Sequence, residues 1–180
     1  MQSPYEGKLI RLRSREPEDE PSLQRWFNDP DVTEHLGNRY PVSHGYEREF
    51  IARTHTVTYE QAGFAVESLA DGRLIGGVWL ELSSPDNRSA GLGITIGDKT
   101  YWDGGYGTDT MRTVCRFGFE VMNLHRIELD VSERNKRAIA VYERVGFKVE
   151  ARRRHARFKF GAYVDVVVMG LLEGELKPAD

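Results

Sequence analysis

Residues 90–122 read AGLGITIGDKTYWDGGYGTDTMRTVCRFGFEVM, and they carry the strongest structural signals of the chain. Its first seven residues are apolar and partly β-branched, which predicts a strand over 90–96. A helix is predicted from about 107 to 122, because apolar residues recur on one helical face: Met111, Val114, Cys115, Phe119 and Met122. Glycines fill most of 104–107 between the two elements. A strand, a glycine-rich turn and a helix N-terminus therefore follow one another.

Outward from this stretch, the pattern predicts strands and helices on both sides. The elements predicted upstream are a strand over 8–13, a helix over 17–27, a less regular helix over 44–60, and strands over 64–69 and 74–82. Asp71-Gly72 is a hairpin turn signal between the last two. The elements predicted downstream are a strand over 126–131, a helix over 135–145, and strands over 147–160 and 163–172 joined by Gly161-Ala162. This order predicts a mixed sheet with helical crossovers, of α/β or α+β class.

Length and composition limit the classes of protein to which the chain can belong. The chain has 180 residues, which suits a single domain over 1–180, and 39% of them are hydrophobic, enough for a core. A net charge of −3 argues against a dedicated nucleic-acid binder, and one cysteine excludes an internal disulfide or a CxxC zinc site. No apolar run has the length of a membrane span, and the N-terminus lacks a secretory signal pattern. We therefore expect a cytoplasmic protein.

The glycine-rich turn over 103–108 suits an anion. Glycines let the backbone approach a ligand closely, and the first N–H groups of a helix point at it. Two interpretations stay open from spacing alone, a phosphate site and a tight turn without a ligand. Neither nucleotide motif is present, since Asp98 separates Gly97 from Lys99 and no GxGxxG occurs.

Several ordered blocks resemble the GNAT superfamily of N-acetyltransferases, and with residues 26–30 the RimJ/RimL-like branch. The blocks are ITIGD over 94–98, YWDGGYGTD over 101–109, LHRIEL over 124–129, NKRA over 135–138, VYERVGF over 141–147, and YVD over 163–165. The resemblance covers essentially the whole chain. It implies the GNAT fold, a central mixed, mostly antiparallel sheet with splayed strands flanked by helices.

The resemblance also implies acetyl-coenzyme A as cosubstrate and no metal. The residues that it assigns to cofactor binding are Thr95, Ile96, Gly97, Asp103, Gly104, Gly105, Tyr106, Gly107, Thr108 and Asn135. Backbone N–H groups of 103–108 would hold the pyrophosphate, and 95–97 would pair with the pantetheine amides like an added strand. Trp102 stands where the family has Gln or Arg, which removes a polar side chain there. We expect the Asp103 carboxylate to face solvent.

Asn135 and Tyr142 are seven residues apart, so both lie on one face of the predicted helix. The resemblance makes Tyr142 the catalytic acid that protonates the leaving thiolate of coenzyme A. A core tyrosine on an amphipathic helix is the alternative. Asn135 could equally be a simple helix N-cap, and the two roles are compatible.

The sequence does not assign the general base, the group that removes a proton from the acceptor amine. Many relatives place Glu on the strand before the glycine loop, where this chain has Gly91. Three other glutamates could act as the general base in its place, namely Glu81, Glu67 and Glu133, and the sequence favours none of them over the others. No positioned nucleophile is evident, so we expect direct transfer, with a backbone N–H near Ile96 polarising the thioester carbonyl.

Other motifs add little to the predicted chemistry. The five histidines lack metal-ligand spacing, and Cys115 lies on an apolar helix face, which predicts a core thiol. Residues 152–159 form a basic cluster. In a regular strand, alternate residues from Arg153 to Lys159 would share one face. A solvated face is favoured, and an acidic partner or the 3′-phosphate of the cofactor are the alternatives.

The predicted activity is acetyl transfer from acetyl-coenzyme A to a primary amine. The acceptor is a small molecule or a peptide: RimJ/RimL-like relatives acetylate protein N-terminal amines, polyamines, amino acids or antibiotics. No nucleic-acid or membrane partner is expected, and a homodimer stays open. One rival is a non-catalytic acyl-coenzyme A-binding sensor or structural module, which the missing glutamate at Gly91 favours. A second rival is a nucleotide-dependent enzyme that uses the same loop.

Overall fold

The described part of the chain forms one seven-stranded sheet. The computed structural model describes residues 3–54 and 58–178. The strands are β1 (Ile10–Arg13), β2 (Gln61–Ser68), β3 (Leu74–Ser84), β4 (Ser89–Ile96), β5 (Arg126–Ser132), β6 (Lys148–Lys159) and β7 (Ala162–Leu172). Their order across the sheet is β1-β2-β3-β4-β5-β7-β6. Only β4 and β5 run parallel, and every other neighbouring pair is antiparallel. The mixed, mostly antiparallel sheet is thus confirmed.

Helices flank this sheet, as the periodicity predicts. They are α1 (Glu20–Phe27), α2 (Pro30–Thr33), α3 (His44–Thr54), α4 (Tyr106–Glu120) and α5 (Lys136–Val145). The prediction of a helix over 44–60 is wrong for 58–60, and 55–57 lie outside the described residues. Thr58 donates its N–H to the Gln61 carbonyl at 3.0 Å, which turns the chain into β2. The short α2 was not predicted; the Asp29 carboxylate caps it by accepting the Asp31 N–H at 2.9 Å.

The main core lies between α4, α5 and one face of the sheet. Phe117 of α4 packs edge-on against Phe64 of β2, with ring centroids 5.1 Å apart. Cys115 is fully buried in this core, which confirms the predicted structural thiol, and burial raises the pKa of that thiol. A second cluster of Leu23, Trp26, Val32 and Ile51 joins α1, α2 and α3. The described residues thus form two apolar clusters, one around α4 and α5 and one around α1, α2 and α3.

Strands β4 and β5 separate soon after they pair. Their register joins residues Ser89 to Gly91 with Arg126 to Glu128, and no further pairs follow. Strand β5 continues alongside β7 as far as Ser132. A parallel pair that stops after three residues leaves an unpaired edge along the rest of β4. The splayed strands that the resemblance implied are therefore present, and they create an opening in the middle of the sheet.

The β6–β7 hairpin differs from its prediction in two details. The turn residues are Phe160 and Gly161, with φ of 49° and 77°, rather than Gly161 and Ala162. Two successive positive φ values define the type I′ turn that suits the twist of a hairpin. The register also shifts between Arg153 and Arg157, and His155 has a φ of 49°. The basic cluster is therefore not on a regular strand.

Candidate functional site

The glycine-rich turn has the backbone of an anion-binding loop. Gly105 is the N-cap of α4 with a φ of 86°, and Asp103 also has a positive φ of 60°. Glycine occupies this left-handed conformation without steric cost. Within the described residues, none of the six N–H groups of 103–108 has a hydrogen-bond acceptor. Six consecutive free donors at the positive end of a fifteen-residue helix suit a group with several anionic oxygens.

The loop opens into a cleft of about 370 Å³ between β4, α4 and α5, which we call the loop cleft. Most of the predicted site residues line it, namely Thr95, Ile96, Asp103, Gly105, Gly107, Thr108, Asn135 and Tyr142. Gly97, Gly104 and Tyr106 do not line it. The Tyr106 ring instead packs edge-on against Tyr101, with centroids 4.9 Å apart. Eight of the eleven predicted site residues thus lie around one cleft.

The unpaired edge of β4 supplies backbone groups to this cleft. The Trp102 indole donates to the Ile96 carbonyl at 2.8 Å, so the carbonyl points away from β3. Because both backbone groups of a strand residue face the same neighbour, the Ile96 N–H and both groups of Ile94 face the opening. Gly97 differs, since its N–H donates to the Ile75 carbonyl at 2.9 Å. A strand-like ligand would therefore meet Ile94 and Ile96, and Ile94 was not in the predicted set.

A cation that was not predicted lies beside the loop. The Arg137 guanidinium stacks over the Trp102 ring at 4.2 Å, and it lies 3.8 Å from the Asp103 carboxylate. The expectation that Asp103 faces solvent is confirmed, because its side chain is 77% exposed. Arg137 also lines the loop cleft. Arg137 thus places a positive charge beside the loop, next to the position where Trp102 replaces the polar side chain of the family.

Asn135 and Tyr142 both face the loop cleft from α5. Asn135 is the N-cap of this helix, and its Oδ1 accepts the Ala138 N–H at 3.1 Å. The half-buried Tyr142 packs against Phe147, and no described residue hydrogen-bonds its hydroxyl group. Burial raises the pKa of Tyr142 to about 12. The hydroxyl therefore stays protonated near neutral pH, as an acid must before it acts.

A second cleft of about 340 Å³ lies between α3 and the opposite face of the sheet, and we call it the α3 cleft. Aromatic side chains form much of its wall, from Trp26, Phe27, Tyr46, Phe50 and Trp79. Trp79 lies flat against β4, since a Cβ on Gly93 would be 1.9 Å from its ring. Thr95 lines both clefts. The two clefts therefore meet at the end of β4.

Glu81 is the one of the three candidate bases that lines the α3 cleft. It pairs with Gly91 across β3 and β4, so its side chain lies on the same face as the missing glutamate would. A Cβ on Gly91 would meet only the Glu81 carbonyl oxygen within 4 Å, at 3.9 Å. No described cation is ion-paired with Glu81. Its carboxylate is therefore not engaged in an ion pair within the described part of the chain.

The other two candidate bases are held in ion pairs. Glu67 accepts from Arg11 and, at 2.9 Å, from Arg13. Burial alone would raise the pKa of Glu67. The hydrogen bonds from these two guanidinium groups outweigh that effect and hold the pKa below its usual range. Glu133 is paired with Arg152. Neither carboxylate lines either cleft.

The basic cluster has a structural use that the sequence did not indicate. Arg157 donates to the His35 carbonyl at 2.9 Å, and Lys159 donates to the Leu36 carbonyl at 2.8 Å. Burial lowers the pKa of Lys159. His35 and Leu36 line the loop cleft. These cations therefore hold one wall of the cleft against the β6–β7 hairpin.

The described residues contain neither a metal-ligand cluster nor a membrane-spanning helix. In 3–54 and 58–178, no three His, Cys, Asp or Glu side chains come together as a metal site would require. In the same ranges, no helix combines the length and apolar character needed to cross a membrane.

The chain was compared with known proteins. The acetyltransferase (GNAT) domain family matches residues 10–148. N-acetyltransferase p20 of Bacillus licheniformis is 26% identical, covering 97% of this chain and 98% of the relative. Spermidine N(1)-acetyltransferase of Escherichia coli K12 is 27% identical, covering 91% and 86% respectively.

A solved structure points to the same family as the sequence relatives. The spermidine N-acetyltransferase of Vibrio cholerae, solved with coenzyme A and spermine, superposes with a TM-score of 0.84 at 25% identity. The match covers 92% of this chain and 96% of that one. With the splayed sheet, the free loop donors and these matches together, the chain belongs to the GNAT family and is an acetyl-coenzyme A-dependent N-acetyltransferase.

Proposed function

We propose that the chain transfers the acetyl group directly to a small primary amine held in the α3 cleft, with acetyl-coenzyme A in the loop cleft. The observation that carries the proposal is that the two clefts meet at Thr95. One cleft has anion-binding backbone donors, and the other has an aromatic wall with a free carboxylate. Spermidine acetyltransferases among the relatives support a primary amine as acceptor. The RimJ/RimL-like motifs support the same class.

The chain's own groups suit the cofactor along the whole loop cleft. The free N–H groups of 103–108 would bind the diphosphate, assisted by the Arg137 guanidinium. The exposed backbone groups of Ile94 would pair with a pantetheine amide, which leaves the Ile96 N–H for the thioester carbonyl. The Asn135 amide nitrogen remains available, since only the oxygen of that side chain caps α5. Acetyl-coenzyme A supplies a thioester whose carbonyl carbon is open to attack by an amine.

The proposed transfer forms one carbon–nitrogen bond, breaks one carbon–sulfur bond, and moves each proton between named groups. The acceptor nitrogen forms a bond to the acetyl carbon, and the carbon–sulfur bond breaks with its electron pair left on sulfur. The Ile96 N–H would stabilise the negative charge that develops on the carbonyl oxygen. Glu81 accepts the first proton of the ammonium group through water, and Tyr142 donates its hydroxyl proton to the sulfur. The second proton, which the nitrogen loses once it is acylated, restores the Tyr142 hydroxyl. An N-acetyl amine and the free thiol result.

Thiol release from acetyl-coenzyme A, measured over a panel of amines, amino acids and peptides, tests the proposal. We expect at least one small primary amine to give stoichiometric thiol and N-acetyl product. Tight coenzyme A binding without turnover of any acceptor would contradict the proposal and favour the non-catalytic sensor. A thermal shift produced by ATP or NAD but not by coenzyme A would favour a nucleotide-dependent enzyme.

Arg137→Gln should weaken the affinity for coenzyme A about five- to tenfold, because one charge-assisted contact to phosphate is lost at a partly exposed site. Calorimetry at fixed ionic strength measures this. Arg134→Gln is the matched control, since Arg134 is exposed and lies outside the loop cleft. Equal affinities for the two variants would contradict the role of Arg137.

Glu81→Gln should lower kcat/KM about 10- to 100-fold at pH 7, because proton removal from an ammonium acceptor is slowed. An alkylamine with a pKa near 10 loses its proton unaided at higher pH. The defect should therefore shrink as the pH approaches 10. Glu60→Gln, an exposed change outside the α3 cleft, is the control. A defect that is independent of pH would exclude Glu81 as the base.

A further inference from the structure

The α3 cleft contains a buried cation that the proposed mechanism does not use. Arg15 follows β1, lines this cleft, and is only 8% exposed. A guanidinium keeps its charge in proteins, so its burial has to be offset by polar partners. Arg15 has few of them. Nη1 donates to the Thr54 hydroxyl at 3.2 Å, and the group lies 5.2 Å from the Phe50 ring centroid. Its other N–H groups have no hydrogen-bond partner in the described residues.

The guanidinium lies on the sheet close to the transfer point. A Cβ on Gly63 would be 3.1 Å from Nη1, and one on Gly77 would be 3.9 Å from Nη2. Gly77 pairs directly with Thr95 across β3 and β4. Because opposed Cβ atoms in a sheet are about 5 Å apart, the guanidinium lies within about 9 Å of the Thr95 side chain. Glycine at 63 and 77 leaves the space that the guanidinium occupies.

A buried carboxylate with an unused oxygen faces the same cleft. Glu47 of α3 is 2% exposed, and its Oε2 has no hydrogen-bond partner in the described residues. No ion pair within 4.0 Å joins Glu47 to Arg15. Burial raises the pKa of Glu47, and the nearby charge of Arg15 opposes this rise. The cleft therefore holds a buried guanidinium and a buried carboxyl group that are not paired with one another.

We infer that the acceptor is an amino acid, or another small amine that bears a carboxylate, and that Arg15 binds this carboxylate. A bidentate carboxylate would fill the free fork of the guanidinium. In an amino acid only a few bonds separate carboxylate and amine, so this anchor would place the amine beside Thr95. The Glu47 oxygen would accept from the ammonium group of the incoming zwitterion. The aromatic wall favours an apolar or aromatic side chain.

The inference rests on the proposed function. It is tested by measuring kcat/KM of the wild-type enzyme for pairs of acceptors that differ in whether they bear a carboxylate. Suitable pairs are L-phenylalanine with L-phenylalaninamide, L-methionine with L-methioninamide, and 4-aminobutyrate with butylamine; spermidine is a separate arm. We expect kcat/KM to be about 10- to 100-fold higher for the carboxylate member of the preferred pair, because a charge-assisted bond is lost with the other member. Preference for spermidine or for the members that lack a carboxylate would overturn the inference and leave the proposed function intact. Absence of turnover with every acceptor would instead contradict the proposed function.

Arg15→Gln tests the residue itself. The variant should raise KM for the carboxylate acceptor about 10- to 100-fold and leave KM for acetyl-coenzyme A unchanged, so that the preference within the pair disappears. Arg48→Gln on α3 is the matched control, since this exposed cation lies outside the α3 cleft. An unchanged acceptor preference in a folded Arg15→Gln protein would overturn the inference. If the Arg15→Gln protein does not fold, the paired acceptors measured on the wild-type enzyme still test the inference.

Discussion

Tyr142→Phe should lower kcat about 10²- to 10³-fold and leave coenzyme A affinity within about twofold of the wild type. The substitution removes the proton that Tyr142 would donate to the leaving sulfur. It removes little else, because no described residue hydrogen-bonds the hydroxyl and the ring keeps its contact with Phe147. The loss equals about 3–4 kcal/mol of transition-state stabilisation. Thiol release under saturating acceptor and acetyl-coenzyme A measures it.

Two further measurements separate acid catalysis from a structural effect of this change. Tyr163→Phe, at a tyrosine that is 61% exposed and outside both clefts, should leave kcat unchanged. Because the pKa of Tyr142 is raised to about 12, the hydroxyl stays protonated below that pH. The wild-type rate should therefore show no loss from Tyr142 deprotonation up to about pH 10. A Tyr142→Phe enzyme with an undiminished rate would rule out this acid.

Asp109→Ala should lower the free energy of unfolding by about 3–5 kcal/mol, the largest stability loss that we expect from a single change near the site. Its buried carboxylate accepts three backbone N–H groups, from Lys8 at 3.1 Å, Leu9 at 2.7 Å and Ile10 at 3.1 Å. Alanine would leave these three donors without that acceptor. The carboxylate thus joins the start of β1 to the first turn of α4, directly behind the glycine loop.

Thermal unfolding measures the effect of Asp109→Ala. For a chain of this length, such a loss lowers Tm by about 6–20 °C. Asp86→Ala is the control, because Asp86 is exposed in the β3–β4 turn and makes no hydrogen bond or ion pair with a described residue. A Tm for Asp109→Ala within about 2 °C of the control would show that the three bonds do not stabilise the fold.

The local parts of the site could be predicted from the sequence because they depend on local signals. Gly105 is the N-cap of α4 with a φ of 86°, and Gly146 ends α5 with a φ of 126°. The spacing of Asn135 and Tyr142 places both on one face of α5, and both do face the loop cleft. Each of these features lies within one element or one turn, where periodicity and glycine placement carry the information.

The rest of the site depends on contacts between distant segments. The stacking of Arg137 on Trp102 joins residues 35 positions apart, and no local pattern marks it. Arg15 enters the α3 cleft only because Gly63 and Gly77 make space on two other strands. Glu81 faces the position of Gly91 only because of the β3–β4 register. Periodicity predicts the face of an element, but it does not predict which distant side chain shares a cleft.

A structure of the protein with both coenzyme A and an amine acceptor bound would show whether the cofactor in the loop cleft and the amine in the α3 cleft meet beside Thr95. We expect the diphosphate on the N–H groups of 103–108, the thiol within reach of the Tyr142 hydroxyl, and the amine on the Thr95 side of β4. A diphosphate away from residues 103–108, or an acceptor outside the α3 cleft, would contradict the proposed arrangement.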